Sequence, residues 1–220
     1  TAASYAATNG AATTGLTAIG TQDPDVVITV TDAATVAQIN TITGATTGLV
    51  TAWVSDTIAN LLSLTSDSTD AISITITDGA TVAQFNTLDA LTSSNIVLTG
   101  GLSDAATSYS ATDGTATSGL TAATTQDSDV VITITDAANI SQFNRINGLT
   151  SSDIVLTGGL TDVAGRYATT GGTATTGLTA AITQDSDVAI TISDAANIAQ
   201  FNTIDGLASS SVVLSGGLSD

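Results

Sequence analysis

Residues 26–31 read VVITVT, β-branched throughout and alternating apolar with Thr from Ile28 onward. That pattern predicts a half-buried strand. Asp32 follows where a helix N-cap belongs, its carboxylate placed to accept the free N–H groups of the next turn. Ala33, Val36, Ile39 and Ile42 then recur every three residues up to Gly44, which predicts a short helix with a glycine stop. The grammar repeats at once: a strand over residues 49–55, a cap at Asp56, and apolar Ile58, Leu61 and Leu62. A further string, ATTGLTAIGTQDPDV from Ala12, reads as a Gly-containing, Thr-rich strand or loop that ends in QDxD.

These strings recur. TDAATVAQINTI begins at Thr31 and returns from Thr77, Thr135 and Ser193, at spacings of 46, 58 and 58 residues. A second string follows each copy, from Leu49, Ile96, Ile154 and Val212. The QDxD string returns from Ala116 and Ala174 and is missing from the 46-residue unit. The whole chain, 1–220, thus reads as a single array of units spanning about 1–46, 47–104, 105–162 and 163–220. Strand and short-helix pieces of this size cannot bury their own faces. They are expected to stack as a repeat α/β solenoid of strand–Asp–short-helix units with a continuous parallel sheet. If the three-residue spacing marks turns instead of helices, the alternative is a pure parallel β-solenoid. Equivalent positions would form a core column of Ile39, Phe85, Phe143 and Phe201, flanked by Val36, Val82, Ile140 and Ile198. The amides of Gln38/Asn40, Gln84/Asn86, Gln142/Asn144 and Gln200/Asn202 would form a ladder satisfying neighbouring backbone. The phase also survives a join of the two ends, since Gly216 to Asp220 reads on into Thr1 to Tyr5 as Gly158 to Asp162 reads on into Val163 to Tyr167. This predicts adjoining repeats of a longer chain or copies stacked head to tail.

Composition narrows the chemistry. The 220 residues carry 20 acids, all Asp, against two cations, Arg145 and Arg166, for a formal net charge of −18, with no His, Cys or Met. Imidazole and thiolate chemistry is thereby excluded. Nucleic-acid binding is excluded too, because it depends on Lys and Arg neutralising phosphates. Hydrophobic residues make up 42% of the chain, enough for a folded core, and no apolar run approaches the roughly 20 residues that cross a bilayer. No membrane insertion and no enzymatic activity are expected.

The remaining candidates are acidic or aromatic. Asp32, Asp78, Asp136 and Asp194, with Asp56, Asp104, Asp162 and Asp220, read as helix caps. Stacking the pairs Asp23/Asp25, Asp127/Asp129 and Asp185/Asp187 would bring like charges together with no Lys nearby, which suits a Ca²⁺ ion taking carboxylate oxygens. Gly100 to Asp104, with its copies, resembles half of the calcium-binding nonapeptide GGxGxDxUx, Leu-Ser-Asp or Leu-Thr-Asp standing where the second half begins. Tyr5, Tyr109 and Tyr167, and Trp53 at the equivalent place in the short unit, offer rings that stack on sugars. The Thr pairs at 29/31, 75/77 and 133/135 suit an exposed strand face.

The VxITITDAAxxAQFN and IVLTGGLSD strings resemble tandem segments of very large repeat-containing surface proteins of Gram-negative, marine and cyanobacterial species, grouped with RTX-type adhesins and S-layer-associated proteins. The resemblance implies secretion, a place at the bacterial cell surface, frequent calcium dependence, and a structural or adhesive role. The expectation is therefore a non-enzymatic extracellular protein that extends by stacking into a filament, surface layer or adhesin stalk, partnered by itself. The alternative is a polysaccharide- or surface-binding adhesin module.

Overall fold

Strands form where Ile and Val alternate with Thr or Ser, and helices start where a Thr or Asn side chain can close the free amides of a first turn. The computed structural model describes residues 1–219, and the chain divides into two units, Thr1–Gly100 and Gly101–Asp220. The first runs α1 (Ala2–Tyr5), α2 (Thr14–Gln22), β1 (Ile28–Ala33), α3 (Val36–Thr43), β2 (Val50–Asp56), α4 (Ile58–Leu61), β3 (Ala71–Ile76), α5 (Val82–Asp89) and β4 (Ile96–Leu98). Its strands make one parallel sheet in the order β1-β2-β3-β4.

The second unit runs β5 (Leu102–Asp104), α6 (Ala106–Tyr109), α7 (Ser118–Gln126), β6 (Ile132–Ile134), α8 (Ile140–Asn147) and β7 (Ile154–Leu156). It continues with β8 (Leu160–Asp162), α9 (Ala164–Tyr167), α10 (Thr176–Gln184), β9 (Ile190–Ile192), β10 (Ala196–Asn197), α11 (Ile198–Leu207), β11 (Val212–Leu214) and β12 (Leu218–Ser219). Three small parallel sheets result: β5-β6-β7, β8-β9-β11 and β10-β12.

This arrangement overturns the expected solenoid with its continuous parallel sheet. The described residues form an α/β structure with four separate sheets and eleven helices, which also removes the pure β alternative. The sheets break for a local reason. Gly159, between β7 and β8, has φ +74, a backbone state that favours glycine. The bend starts β8 in a new sheet beside β9, while at the outer edge of β7 the Ile154 and Leu156 N–H groups donate to Gln184 and Asp185 side chains, so no strand adds there. The all-β alternative fails because the three-residue spacing is helical. Thr35, Thr81, Asn139 and Asn197 each accept from the backbone N–H three residues on, while the Gln at that position accepts from the cap's own N–H. This reciprocal pair is a capping box and it fixes the helix start.

The QDxD string also departs from expectation, forming helices α2, α7 and α10. Thr13, Thr117 and Thr175 cap them by accepting from Leu16, Leu120 and Leu178 N–H at 3.2–3.3 Å. Their Thr-rich surfaces tolerate the helix because the hydroxyls donate to the carbonyl four residues back, as Thr21 does to Thr17 O and Thr125 to Thr121 O.

Ile39, Phe85 and Phe143 are fully buried, each on the inward face of its helix, while Phe201 is half-buried. Val36, Val82 and Ile140 lie beside them in the core, whereas Ile198 is 53% exposed. The same helical position is thus core in one place and surface in another. Truncating Phe143 to Ala is expected to destabilise the second unit by about 3–5 kcal/mol through lost burial and the cavity left behind. Ile198→Ala should cost under about 1 kcal/mol, because most of that side chain already meets water. Urea unfolding followed by circular dichroism compares the two variants.

Candidate functional site

The polar side chains that recur along the chain are spent on backbone. Asp32, Asp78, Asp136 and Asp194 do not cap the helices that follow them, since Asp32 still lies within β1 and the cap is Thr35, three residues later. Each carboxylate instead accepts the first N–H of a helix earlier in the chain. Asp32 takes Ala2 of α1, Asp78 takes Ile58 of α4, Asp136 takes Ala106 of α6 and Asp194 takes Ala164 of α9, all at 2.6 Å. The contacts reach across 20 or 30 residues. An anion at a helix start meets both free donors and the positive end of the helix dipole. Asp162 works at two helices, with Oδ2 accepting Ile140 N–H of α8 at 3.0 Å and Oδ1 accepting Val163 N–H at 2.8 Å. Asp56 accepts Thr57 N–H and the Asn60 side-chain amide, both at 2.8 Å, and Asp104 accepts Ala105 N–H at 2.8 Å. Asp220 lies outside the described residues.

Glutamine supplies the complementary donor. Gln38, Gln142 and Gln200 are buried, and each donates its Nε2 hydrogen to a main-chain carbonyl 32 residues back, Ala6, Ser110 and Ala168, at 2.8–2.9 Å. Asn139 and Asn197 do the same to Thr112 O and Thr170 O at 2.9 and 3.0 Å. Strand ends are closed by hydroxyls: Thr92 accepts Ile72 N–H at 2.9 Å and donates to Ile72 O at 2.7 Å, and Thr150 donates to Val130 O at 2.6 Å. Buried Asp70 accepts Val50 N–H at 2.9 Å. Among the described residues, no buried side-chain nitrogen or oxygen lacks a partner.

The structure distributes the expected cation and sugar residues differently. Asp23, Asp127 and Asp185 follow α2, α7 and α10 as C-caps. Asp23 shares a side-chain hydrogen bond with exposed Asp25, which raises its pKa above the ordinary carboxylate value. Asp185 is raised first by burial and then by Asp187, although one oxygen accepts Leu156 N–H at 2.6 Å. Asp127 is half-buried and Asp129 is exposed. The Asp23/Asp25 and Asp185/Asp187 pairs each bring two carboxylates together, and no group of three or more metal-ligating side chains forms among the described residues.

Tyr109 and Tyr167 correct the glycan expectation. Their rings are fully buried under α6 and α9, and their hydroxyls donate to Thr133 O and Thr191 O at 3.2 and 3.3 Å. They present no face to a sugar. Tyr5 is half-buried, and Trp53 on β2 is 45% exposed.

Two open grooves are lined by Thr, Ala and amide side chains. One of about 410 Å³ runs along α10 between Asn147, Thr176, Thr179, Thr183 and Gln184, where Gln184 donates to Asn147 Oδ1 at 2.9 Å. A groove of about 430 Å³ follows the matching face of α2 at Thr14, Thr17, Thr21 and Gln22. Hydroxyls and amides hydrogen-bond; they supply neither an acid–base pair nor an activated nucleophile. No family model, curated protein or solved structure matches the chain.

Sequence reasoning missed the capping residues Thr35, Thr81, Asn139 and Asn197, although their signal, a capping residue with Gln three positions on, stands in each copy. Asp78→Ala is expected to destabilise the first unit by about 1 kcal/mol by leaving Ile58 N–H without its acceptor, while Asp78→Asn keeps an acceptor and costs less. Urea midpoints of the two variants check this. Burial, reinforced by the charges of Asp104 and Asp162, pushes the Tyr109 and Tyr167 phenols upward. A raised folded value means that stability is intact below the unfolded phenol value of about 10 and is lost as pH climbs above it. Absorbance titration should therefore show these two phenols ionising together with alkaline unfolding, and Tyr109→Phe/Tyr167→Phe should remove that step.

Proposed function

We propose that this chain is a non-enzymatic extracellular structural protein of a bacterium whose copies add end to end, extending a filament, a surface layer or an adhesin stalk. The observation that carries this reading is where apolar surface remains. Ile198 on α11 and Leu218 on β12 are 53% and 56% exposed, whereas their sequence copies Ile140, Leu102 and Leu160 are buried. Apolar side chains bared where their sequence copies are buried, on a protein of net charge −18, favour a specific partner at that place over general stickiness. The acidity of the rest keeps flanks apart, so growth is directed to the ends. The extracellular setting is supported by the Cys-free, Asp- and Thr-rich composition and by the strings that resemble bacterial surface proteins.

Because both partners are acidic, screening should promote association. Sedimentation velocity and negative-stain electron microscopy on the purified chain, in rising NaCl and then in CaCl₂ of matched ionic strength with and without chelator, test this. Mass should rise with protein and salt concentration, and ordered particles should appear. A chain that stays monomeric under all these conditions overturns the proposal, and an effect of Ca²⁺ beyond that of matched NaCl would direct mutation to the Asp23/Asp25, Asp127/Asp129 and Asp185/Asp187 pairs.

A further inference from the structure

Each sheet among the described residues ends in two edge strands, and a contact already made twice inside the second unit fits two of them, β1 and β12. In that contact β5 lies beside β6 with Leu102 opposite Ile132 and Ser103 opposite Thr133. β8 lies beside β9 with Leu160 opposite Ile190 and Thr161 opposite Thr191. Leu102 and Leu160 are buried, and their N–H groups donate to Val131 O and Ala189 O at 2.9 and 2.8 Å. Thirty positions separate the paired residues in both cases. Counting thirty on from Leu218 into a following copy of the chain arrives at Ile28, the first residue of β1. β1 pairs with β2 on one side only, and Leu218 is 56% exposed.

Four further observations agree. Gly217 holds φ +76, as Gly101 and Gly159 hold +75 and +74. A Cβ on Gly101 or Gly159 would lie 2.6 or 2.5 Å from Val131 O or Ala189 O, whereas the space beside Gly217 is open. Its counterpart carbonyl would be that of Val27, a residue 62% exposed. On the helices, a Cβ on Gly177 would lie 2.6 Å from Ile140 Cγ2, so α10 seats against the buried Ile140 of α8. The matching pair is Gly15 of α2, with only its own Thr13 hydroxyl near at 3.8 Å, and the exposed Ile198 of α11. At the outer edge of β7, Ile154 and Leu156 donate to Gln184 Oε1 and Asp185 Oδ2 at 3.1 and 2.6 Å. β11 has β9 on one side only, and the side chains matching Gln184 and Asp185 are the exposed Gln22 and Asp23. Finally, Tyr109 and Tyr167 are fully buried beside Asp104 and Asp162, while Tyr5 is half-buried.

We propose that a second copy of this chain docks here by parallel strand addition: Leu218–Ser219 of one copy pairs with Ile28–Thr29 of the next. Ile198 seats on Gly15, and Val212 and Leu214 N–H donate to Gln22 and Asp23. Backbone pairing at an open sheet edge supplies affinity, and the seated side chains fix the register. The surfaces are different on the two partners, so the contact is heterologous and each copy keeps one of each surface free for the next. This joint rests on the end-to-end assembly proposed above and specifies its atoms.

The chain contains no Cys, so single introduced thiols report the register. Mixing Ser219→Cys with Thr29→Cys in salt and oxidising should give a disulfide-linked dimer of the two variants. Ser219→Cys mixed with Thr31→Cys, two positions or about 7 Å further along the strand, should not. Gly15→Leu should fold at least as well as the parent, because its site is open in the single copy and leucine favours helix. It should weaken association at least about tenfold by sedimentation, while Gly165→Ala, whose surroundings are also open, leaves association unchanged. Assembly that persists with no cross-link at 219/29, or that is indifferent to Gly15→Leu in a variant of parental circular dichroism, overturns this joint and leaves the assembly reading standing. Absence of any assembly by the unmodified chain overturns both.

Discussion

The structure depends on one kind of contact, a side-chain oxygen or amide in one segment closing a main-chain group in another segment 20 to 32 residues away. Asp78 on Ile58 N–H, Asp136 on Ala106 N–H and Gln142 on Ser110 O are instances. Short helices and three-residue strands leave most of their backbone groups at ends, where no internal partner exists. With four-residue helices such as α6 and α9, hardly any helical hydrogen bond is internal. Burial alone would leave those groups unsatisfied at a cost of about 1–3 kcal/mol each. Recurrent Asp, Gln, Thr and Asn remove that cost and in doing so specify which segments lie side by side.

The same contact explains how a chain with 20 acids and two cations stays folded. Carboxylates usually find Lys or Arg; here they find the positive ends of helices and the amides of strand edges. Asp162, with one oxygen on α8 and the other on Val163 N–H, carries two such duties. The pairs Asp23/Asp25 and Asp185/Asp187 mark the limit of the device, since there acids face each other and a shared hydrogen bond takes the place of a counter-charge.

Much of the local grammar was legible in the sequence. The alternation at residues 26–31 and 49–55 locates β1 and β2 to within two residues, and the spacing of Val36, Ile39 and Ile42 marks α3. What the pattern could not carry was anything set by distant contacts. Asp32 looks like a cap for the helix that follows because a one-dimensional string shows only neighbours, and its true partner is Ala2, thirty residues back. Tyr109 and Tyr167 look free for the same reason: four-residue helices offer no amphipathic period to show which face turns inward. The Thr-rich QDxD string reads as extended because Thr favours strands. It is helical because the Thr hydroxyls bond within the helix and Leu120 and Leu178 anchor it in the core. In the second unit the ladder ends at β7, where Gln184 and Asp185, 30 and 29 residues on, take edge N–H groups that a further strand would use.

Copies of one motif are chemically almost the same, so their difference in burial isolates the effect of their surroundings. Ile140 and Ile198 carry the same side chain at the same helical position, and only the second meets water. Gly159 and Gly217 have nearly the same φ, and only the first has a carbonyl against it. A backbone angle that favours glycine is held at Gly217 without the contact that gives it purpose at Gly159. Gly217 therefore already holds the angle that the proposed joint requires. Such preorganisation lowers the ordering cost of the proposed docking, in which the edges of β1 and β12 would gain hydrogen bonds and Leu218 and Ile198 would gain burial.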